Sequence, residues 1–248
     1  MRSIFSKFAF MASILLALVL TFSCSGGGGD DGDNGLSSAS NGGGISSPGG
    51  GSSSPSGSGD KGNNISNYKT KQIGNQNWMA ENLNYNVTDS KCYDGKESNC
   101  DKYGRLYDWT TAMVLPASCK TSSCASQISA KHRGICPSGW HIPNDADWDE
   151  LIDFVGGAST AGTKLKFREG WELSSDSSSY VPSGTDEFGF SALPGGYSYS
   201  SGKYIAIGFI GYWWSASDGT YRSMSYDLES VRSNASGRSL FSVRCVQD

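Results

Sequence analysis

Residues 136–155 read CPSGWHIPNDADWDELIDFV, and this stretch carries the clearest helix signal in the chain. Asn144 is a good N-cap, and Asp147 stands three places on, as in a capping box. Four apolar residues follow with the i, i+3, i+4, i+7 spacing of a buried helical face. They are Trp148, Leu151, Ile152 and Val155. The sequence therefore predicts an amphipathic helix that is ended by Gly156 and Gly157.

This helix belongs to a globular region at residues 68–248, which contains all seven tryptophans and all twelve tyrosines of the chain. That is enough apolar surface for one sizeable core. Turn residues and hydrophobic patterns predict an opening β-hairpin over 68–79, further short helices and several late strands. The helices are expected at 104–113 and 161–167, and the strands at 188–193, 212–216, 221–228 and 240–246. Helices early and strands late indicate an α+β fold with a mainly antiparallel sheet and two to three helices.

The first residues have the parts of a secretory signal: Arg2 and Lys7 supply positive charge, and the apolar run 8–22 follows. At about 15 residues, the run is too short for a membrane-spanning helix, which needs roughly 20. The small residue directly before Cys24 resembles the end of a bacterial lipobox. The sequence predicts a lipoprotein signal peptide at 1–23 and lipidation of Cys24; the alternative is an ordinary cleavable signal. We expect an exported protein that is anchored to a membrane through this lipid, at the outer membrane or cell surface.

Residues 24–67 are rich in Gly and Ser and nearly free of apolar side chains, so they cannot bury enough surface to offset chain entropy. We predict a lipid-anchored, disordered linker with a reach on the order of 35–40 Å. The formal net charge of −4 gives no electrostatic footprint for nucleic acid, which is not an expected partner. The predicted organisation is signal peptide 1–23, linker 24–67 and folded domain 68–248.

The chain has seven cysteines, and an exported protein is expected to oxidise its cysteines in pairs. Setting Cys24 aside for lipidation leaves an even set for disulfides. These cysteines allow about fifteen pairings, and the simplest choice closes two short loops and one long loop. The pairs in that choice are Cys92 with Cys100, Cys119 with Cys124, and Cys136 with Cys245.

Six sequence blocks run in order across the folded region. They are QNWMAENL at 76–83, YGRLYDW at 103–109, CPSGWHIP at 136–143, GFSALPGG at 189–196, WWSA at 213–216 and SVRCV at 242–246. Together they resemble the FISUMP domain (Fibrobacter succinogenes major paralogous domain), a family found in exported proteins. That family has no settled biochemical function, so the resemblance implies a domain type and no activity.

The segment around residues 136–148 is also similar to part of the formylglycine-generating, sulfatase-modifying enzymes. Those enzymes have a C-type-lectin-like fold, so the similarity implies a C-type-lectin-like α+β domain that is stapled by disulfides. They rely on reactive cysteines near the C-terminus, where this chain has only Cys245. With Cys136 as its expected partner, Cys245 would be no nucleophile. We therefore expect a domain that is not an enzyme; a degenerate sulfatase-modifying-like enzyme is the remaining alternative.

Metal sites are not expected from the histidines and cysteines. Cys119, Cys124, His132 and Cys136 together offer four zinc ligands, but paired cysteines are the expected state in an exported protein. We expect a solvated His132 and a packed His141. The calcium-dependent sugar motifs of C-type lectins have no match in the sequence. No cofactor is predicted, although the many Asp, Asn and backbone oxygens are compatible with a structural Ca²⁺.

Five tyrosines alternate with Gly and Ser in the late half of the domain. Tyr and Ser supply rigid contact area and adaptable hydrogen bonds, as in many recognition loops. Packing within the sheet is the competing explanation for the tyrosines, and six tryptophans are expected in the core. The tyrosines are Tyr197, Tyr199, Tyr204, Tyr212 and Tyr221, and the tryptophans are Trp78, Trp109, Trp140, Trp148, Trp213 and Trp214.

These features favour a surface binding or adhesion module that recognises a polysaccharide or an envelope protein. The tyrosines are its predicted binding residues. The second hypothesis is a structural cell-envelope protein without a discrete ligand.

Overall fold

The computed structural model describes residues 60–172 and 184–248, and the predicted signal peptide, Cys24 and the linker up to residue 59 lie outside them. Within the described residues there are four α-helices and eleven β-strands, so the predicted α+β class is confirmed. The helices are α1 (Glu97–Tyr103), α2 (Trp109–Met113), α3 (Asp145–Phe154) and α4 (Ala158–Leu165). The strands are β1 (Thr70–Ile73), β2 (Gln76–Met79), β3 (Tyr107–Asp108), β4 (Trp140–His141), β5 (Gly195–Tyr199), β6 (Tyr204–Ile207), β7 (Ile210–Trp214), β8 (Thr220–Ser225), β9 (Val231–Ala235), β10 (Ser239–Phe241) and β11 (Val246–Gln247). In these two ranges, no helix combines the length and apolarity needed to cross a membrane.

Residues 60–67, which the sequence assigned to the linker, contact the domain. Lys61 Nζ lies 2.6 Å from a carboxylate oxygen of Glu81. The hydroxyl of Tyr68 donates a hydrogen bond to the carbonyl of Gly62 at 2.8 Å. Polar contacts therefore hold residues of this segment against the domain, although the segment has little apolar surface.

The first sheet has the strand order β1-β2-β11-β4, and each neighbouring pair is antiparallel. The predicted hairpin is confirmed as β1 and β2. Its turn contains Gly74 at a φ of +57°, in the left-handed region that glycine adopts without strain. The last strand lies between β2 and β4, where Val246 pairs with both Trp78 and His141. The end of the domain is therefore built into the same sheet as its beginning.

The second sheet has the order β3-β10-β5-β7-β8-β9, and β6 pairs with β5. Its strands are antiparallel except for the β5–β7 pair. Along β8, Arg222 and Met224 are buried while Tyr221 and Ser223 are half-buried. Successive side chains of a strand point to opposite faces, and the face that holds the half-buried Tyr221 also holds its buried cross-strand partner Trp214. Both faces of this sheet therefore pack against the core, and the face with Tyr221 is only partly covered.

The helix predicted in the opening stretch is confirmed as α3. The Asn144 side chain accepts a hydrogen bond from the Asp147 N–H at 3.0 Å, and the Asp147 carboxylate accepts one from the Asn144 N–H at 2.9 Å. This reciprocal pair completes the capping box. Trp148 and Leu151 are buried, as the periodicity predicts. The following helix is also present, as α4, although it begins earlier than the predicted 161–167.

The segment 104–113 is not the single helix that was predicted. Gly104, with a φ of +76°, ends α1, a helix that the sequence did not predict. Strand β3 comes next, and α2 begins only at Trp109. The Asp108 side chain caps α2 by accepting from the Thr111 N–H at 3.0 Å. The early helical prediction was wrong because the cap lies four residues inside the predicted range.

The late strands also differ from prediction. Residues 188–193 do not form a strand, because Gly189 and Ser191 have φ values of +70° and +55°, outside the β region. The predicted strand 240–246 is divided between β10 and β11, which belong to different sheets. The strands predicted at 212–216 and 221–228 are present as β7 and β8 with shifted ends.

The core contains the six tryptophans that were expected there, each with 8% or less of its surface exposed. Trp78, Trp148 and Trp213 belong to one hydrophobic cluster, and Trp109 and Trp214 belong to another. The three predicted disulfides are all formed. The bond with the longest sequence separation, 109 residues, joins Cys136 to Cys245 and so connects the segment before β4 to β11.

Candidate functional site

Four of the five predicted binding tyrosines lie together on the half-exposed face of the second sheet. Tyr197 is central: its ring centroid is 5.1 Å from that of Tyr199 and 5.0 Å from that of Tyr212. Tyr212 is in turn 5.7 Å from Tyr221. We call these four residues, on β5, β7 and β8, the tyrosine face.

Phe241, a buried residue on β10, packs against the inner rings of the tyrosine face. The Tyr212 ring is stacked on it at 5.0 Å and 11°, and the Tyr221 ring is tilted against it at 4.7 Å. Packing against Phe241 therefore explains much of the burial of Tyr212 and Tyr221, which are half-buried. Tyr199 differs, because 39% of its surface is exposed to solvent. The tyrosine face thus has fixed inner rings and an accessible outer ring.

The pKa values of the three inner hydroxyl groups of the tyrosine face, on Tyr197, Tyr212 and Tyr221, are raised. Burial raises the pKa of Tyr212 to about 12, and the neighbouring Tyr221 and Tyr199 act in the same direction. Burial, followed by the hydrogen bond to Tyr199, raises the pKa of Tyr197 as well. The Tyr197 hydroxyl donates to the Tyr199 hydroxyl at 3.0 Å, which leaves the Tyr199 proton free to be donated outward. The face can therefore offer an aromatic ring and an uncharged hydrogen-bond donor together.

Tyr204, the fifth predicted residue, does not belong to the tyrosine face. It lies on β6, and its ring centroid is 5.1 Å from that of Tyr93. This pair packs in a separate small cluster with Leu106 and Leu240. The alternation of Tyr with Gly and Ser could not separate Tyr204 from the others, because the direction of its side chain depends on how β6 pairs with β5.

A groove of about 1030 Å³ is formed by loops and by parts of β3, α2, β9 and β10, from distant parts of the chain. Its lining includes three acidic, three basic and six hydroxyl side chains, and we call it the polar groove. The acidic residues are Asp89, Asp108 and Asp218, the basic ones are Lys91, Lys120 and Arg238, and the hydroxyl ones are Thr110, Thr121, Ser122, Ser123, Ser200 and Ser236.

The walls of the polar groove are held in place by bonds within and between loops. The loop closed by the Cys119–Cys124 disulfide forms part of one wall. From this loop, the Ser123 hydroxyl donates to the Asp218 carboxylate at 3.3 Å. The groove also reaches the turn after the tyrosine face, since Ser200 is the next residue after Tyr199 and lines the groove.

Asp108 is the most strongly held acidic group of the polar groove. It accepts from the Thr110 hydroxyl at 2.6 Å and lies 3.3 Å from Lys120 Nζ. Burial alone would raise its pKa, but hydrogen bonds from Thr110 and Thr111 and the charge of Lys120 lower it overall. Sequence reasoning missed this groove because sheet pairing brings its walls together. The one local signal was the spacing of Asp108 before Thr111, which is typical of a helix cap.

His141 is buried, as predicted, and both of its ring nitrogens lie near carboxylates, so it is more than a simple packing residue. Its side chain is 2% exposed, and Nδ1 lies 2.8 Å from a carboxylate oxygen of Asp248. Nε2 lies 3.2 Å from the Asp147 carboxylate that also caps α3. Burial lowers the pKa of His141, but the hydrogen bonds and charges of the two carboxylates outweigh burial and raise it. His141 therefore links β4, α3 and the end of β11.

The zinc ligand set considered from the sequence is not assembled. Cys119 and Cys124 form one disulfide, and Cys136 is bonded to Cys245. His132, predicted to be solvated, is half-buried, and its Nε2 lies 2.8 Å from the carbonyl oxygen of Met113. Its expected solvation was wrong because the chain folds this segment back onto α2.

Among the described residues, potential metal-ligand atoms do come close together in one group of side chains. Cys92, Glu97 and Cys100 have potential ligand atoms within 4.8 Å of one another. The two cysteines form a disulfide, so their sulfurs are not the thiolates that bind metals.

Arg244 is fully buried where four of the six sequence blocks meet. Its Nε and Nη2 donate to the side-chain oxygen of Asn82 at 3.1 and 2.8 Å, and Trp213 Nε1 donates to the same oxygen at 2.8 Å. The guanidinium carbon is 4.2 Å from the centre of the Phe190 ring. Burial lowers the pKa of Arg244 to about 9. These blocks therefore build the centre of the fold rather than its surface.

The family model described as Fibrobacter succinogenes major domain (Fib_succ_major) matches residues 72–247. This range includes all six blocks and confirms the resemblance drawn from them. Comparisons with curated proteins and with solved structures give no match. The chain therefore belongs to the Fibrobacter succinogenes major domain family.

Proposed function

We propose that this protein is an exported lipoprotein that is anchored by Cys24 and uses its family domain to bind a polysaccharide without catalysing a reaction. The observation that carries the binding proposal is the tyrosine face, in which fixed rings support the exposed ring of Tyr199. An accessible aromatic ring can stack on the apolar face of a sugar, and its hydroxyl can bond to the sugar's edge. A sugar can therefore stack on the ring of Tyr199 and form a hydrogen bond with the hydroxyl of the same residue.

A non-catalytic role is supported by the state of the cysteine that the related enzyme chemistry would use. Cys245 is fully buried and bonded to Cys136. An oxidised cysteine cannot act as a nucleophile, because the thiolate is the reactive species. The C-type-lectin-like fold expected from the sequence would then serve as a binding scaffold.

Export and anchoring are supported by the sequence of residues 1–24 and by the oxidised state of the domain. Disulfides form and persist in exported proteins and are rare in the cytosol. Replacing Cys24 with Ala should abolish incorporation of labelled palmitate into the full-length protein in growing cells. Labelling of the variant at the level of the unmodified protein would contradict the anchor.

Polysaccharide binding can be tested by sedimentation of the full-length protein, in mild detergent, with insoluble cellulose, xylan or peptidoglycan. Tyr199→Ala should weaken binding by about tenfold or more, as removal of an exposed aromatic anchor does at other interfaces. Tyr226→Ala is the matched control, because the Tyr226 ring packs against Phe209 outside the tyrosine face.

The outcomes of this experiment separate the hypotheses. Equal binding by the unmodified protein and Tyr199→Ala would remove the tyrosine face from the site. Failure of the unmodified protein to sediment with any of the three polymers would reject the polysaccharide proposal and favour a protein partner or a structural role in the envelope.

A further inference from the structure

The polar groove has charged side chains that the protein itself does not use. Asp89, Lys91 and Arg238 line it and are exposed. Within the described residues, none of these three side chains enters an ion pair or hydrogen bond with the protein. By contrast, Asp108 and Lys120 are paired with each other in the same groove. The groove therefore combines a fixed frame with free donors and acceptors.

The balance of these charges limits the chemical class of ligand that the polar groove can bind. Three acidic and three basic side chains line the groove, so it has no net field that would select a polyanion or a polycation. A carboxylate only accepts hydrogen bonds, whereas an ammonium or guanidinium group only donates them. A ligand that satisfies both at close range must itself carry groups that donate and accept. Hydroxyl groups do both, and a neutral sugar is covered with them.

We infer that the polar groove binds a segment of a neutral oligosaccharide, with Asp89, Lys91 and Arg238 contacting its hydroxyl groups. This inference rests on the proposed function and names the ligand class. A volume of about 1030 Å³ is at the upper end of the roughly 300–1,000 Å³ typical of small-molecule pockets, and so has room for several sugar units. The groove reaches the turn beside Tyr199, so one chain can contact both the groove and the tyrosine face.

Gly237 offers a way to block the groove without disturbing the fold. It lines the groove, and a Cβ atom added to it would meet no atom within 4 Å. Its backbone is outside the left-handed region, so a side chain adds no strain. Gly237→Trp should therefore fill space that the sugar needs, while Gly237→Ala should leave that space open.

The test measures binding of soluble cellohexaose, xylohexaose, mannohexaose and the acidic hexagalacturonate to the full-length protein by titration calorimetry. We expect at least one neutral hexasaccharide to bind. Gly237→Trp should weaken this binding about tenfold or more because it fills the groove. Arg238→Ala should weaken it by a similar factor because a hydrogen bond to a charged group is lost. Gly237→Ala should bind normally. Arg232→Ala should too, since Arg232 is exposed on β9 and does not line the groove. Thermal melting of each variant checks that it is folded.

Each contrary result has a distinct meaning. Undiminished neutral binding by folded Gly237→Trp and Arg238→Ala, with a loss in Tyr199→Ala, would overturn the groove and leave the proposed function intact. Binding of hexagalacturonate alone would overturn the neutral ligand class. Binding of none of these sugars, nor of the insoluble polymers, would overturn both proposals.

Discussion

His141 is a residue whose polar contacts, rather than its bulk, explain its position. It is enclosed by β4, α3 and β11, yet both ring nitrogens face carboxylates, of Asp147 and Asp248. Because its folded pKa is raised above the ordinary value of 6.5, protonation of His141 favours the folded state. Its stabilisation is fully present below pH 6.5 and is lost as the pH rises through the folded pKa.

The free energy of unfolding should accordingly fall as the pH is raised from about 6 to 9. The loss should be about 1–2 kcal/mol, since both carboxylates are partly exposed and solvent screens them. In His141→Gln this pH dependence should disappear. Urea unfolding of both proteins across this range makes the measurement, and parallel pH curves would contradict the assignment.

Arg244→Ala should destabilise the domain by roughly 3–5 kcal/mol, because it leaves a cavity and unpaired buried acceptors. The side-chain oxygen of Asn82 would lose two donors. The exposed Arg232→Ala should change stability by no more than about 0.5 kcal/mol. Denaturant midpoints compare the two, and a similarly small effect of both substitutions would show that the Arg244 contacts contribute little.

At the level of elements, the success of sequence prediction depended on how local the signal was. Helix α3 was predicted because its cap and its apolar face lie within twelve consecutive positions, 144–155. Strand β9 was missed because only Val231 of its residues is buried, which leaves no alternation to detect. Residues 188–193 looked like a strand by composition, but Phe190 enters the core from a backbone with positive φ values on both sides.

The capping box gives a prediction at the same scale. Asn144→Ala should cost about 1 kcal/mol of stability, because the Asp147 N–H loses its acceptor. Asn144→Ser retains an oxygen at that position and should recover most of the loss. Thermal unfolding of the two variants tests this, and equal destabilisation by Ala and Ser would argue against the cap.

At the scale of the whole molecule, the sequence predicted the fold class, the family and the disulfides, but only part of the candidate site. The tyrosines were visible because they cluster along the chain. The polar groove was not, since residues as distant in sequence as Asp89 and Arg238 line the same groove only once the chain has folded. The sequence also grouped Tyr204 with the other four tyrosines, because the direction of its side chain is set only when β6 pairs with β5.

The long disulfide should contribute more to stability than a short one. In the chain-entropy model, removing Cys136–Cys245, which spans 109 residues, costs roughly 4–5 kcal/mol. Removing Cys92–Cys100, which spans 8 residues, costs about 2.5 kcal/mol. Double Cys→Ser variants of each pair, compared by urea unfolding, measure the difference, and an equal loss would contradict the entropic account.

The place of β11 between β2 and β4 also affects when this protein can fold. Val246 pairs with Trp78 and His141, so the first sheet stays open until residues 246–247 have been synthesised. Pairing between such distant segments is slow, because loop closure must precede the contacts that reward it. In a nascent chain with this topology, the first sheet is therefore completed only near the end of synthesis of the domain. Under the proposed export, a first sheet that is still incomplete when the chain reaches a secretion channel would not have to be unfolded first.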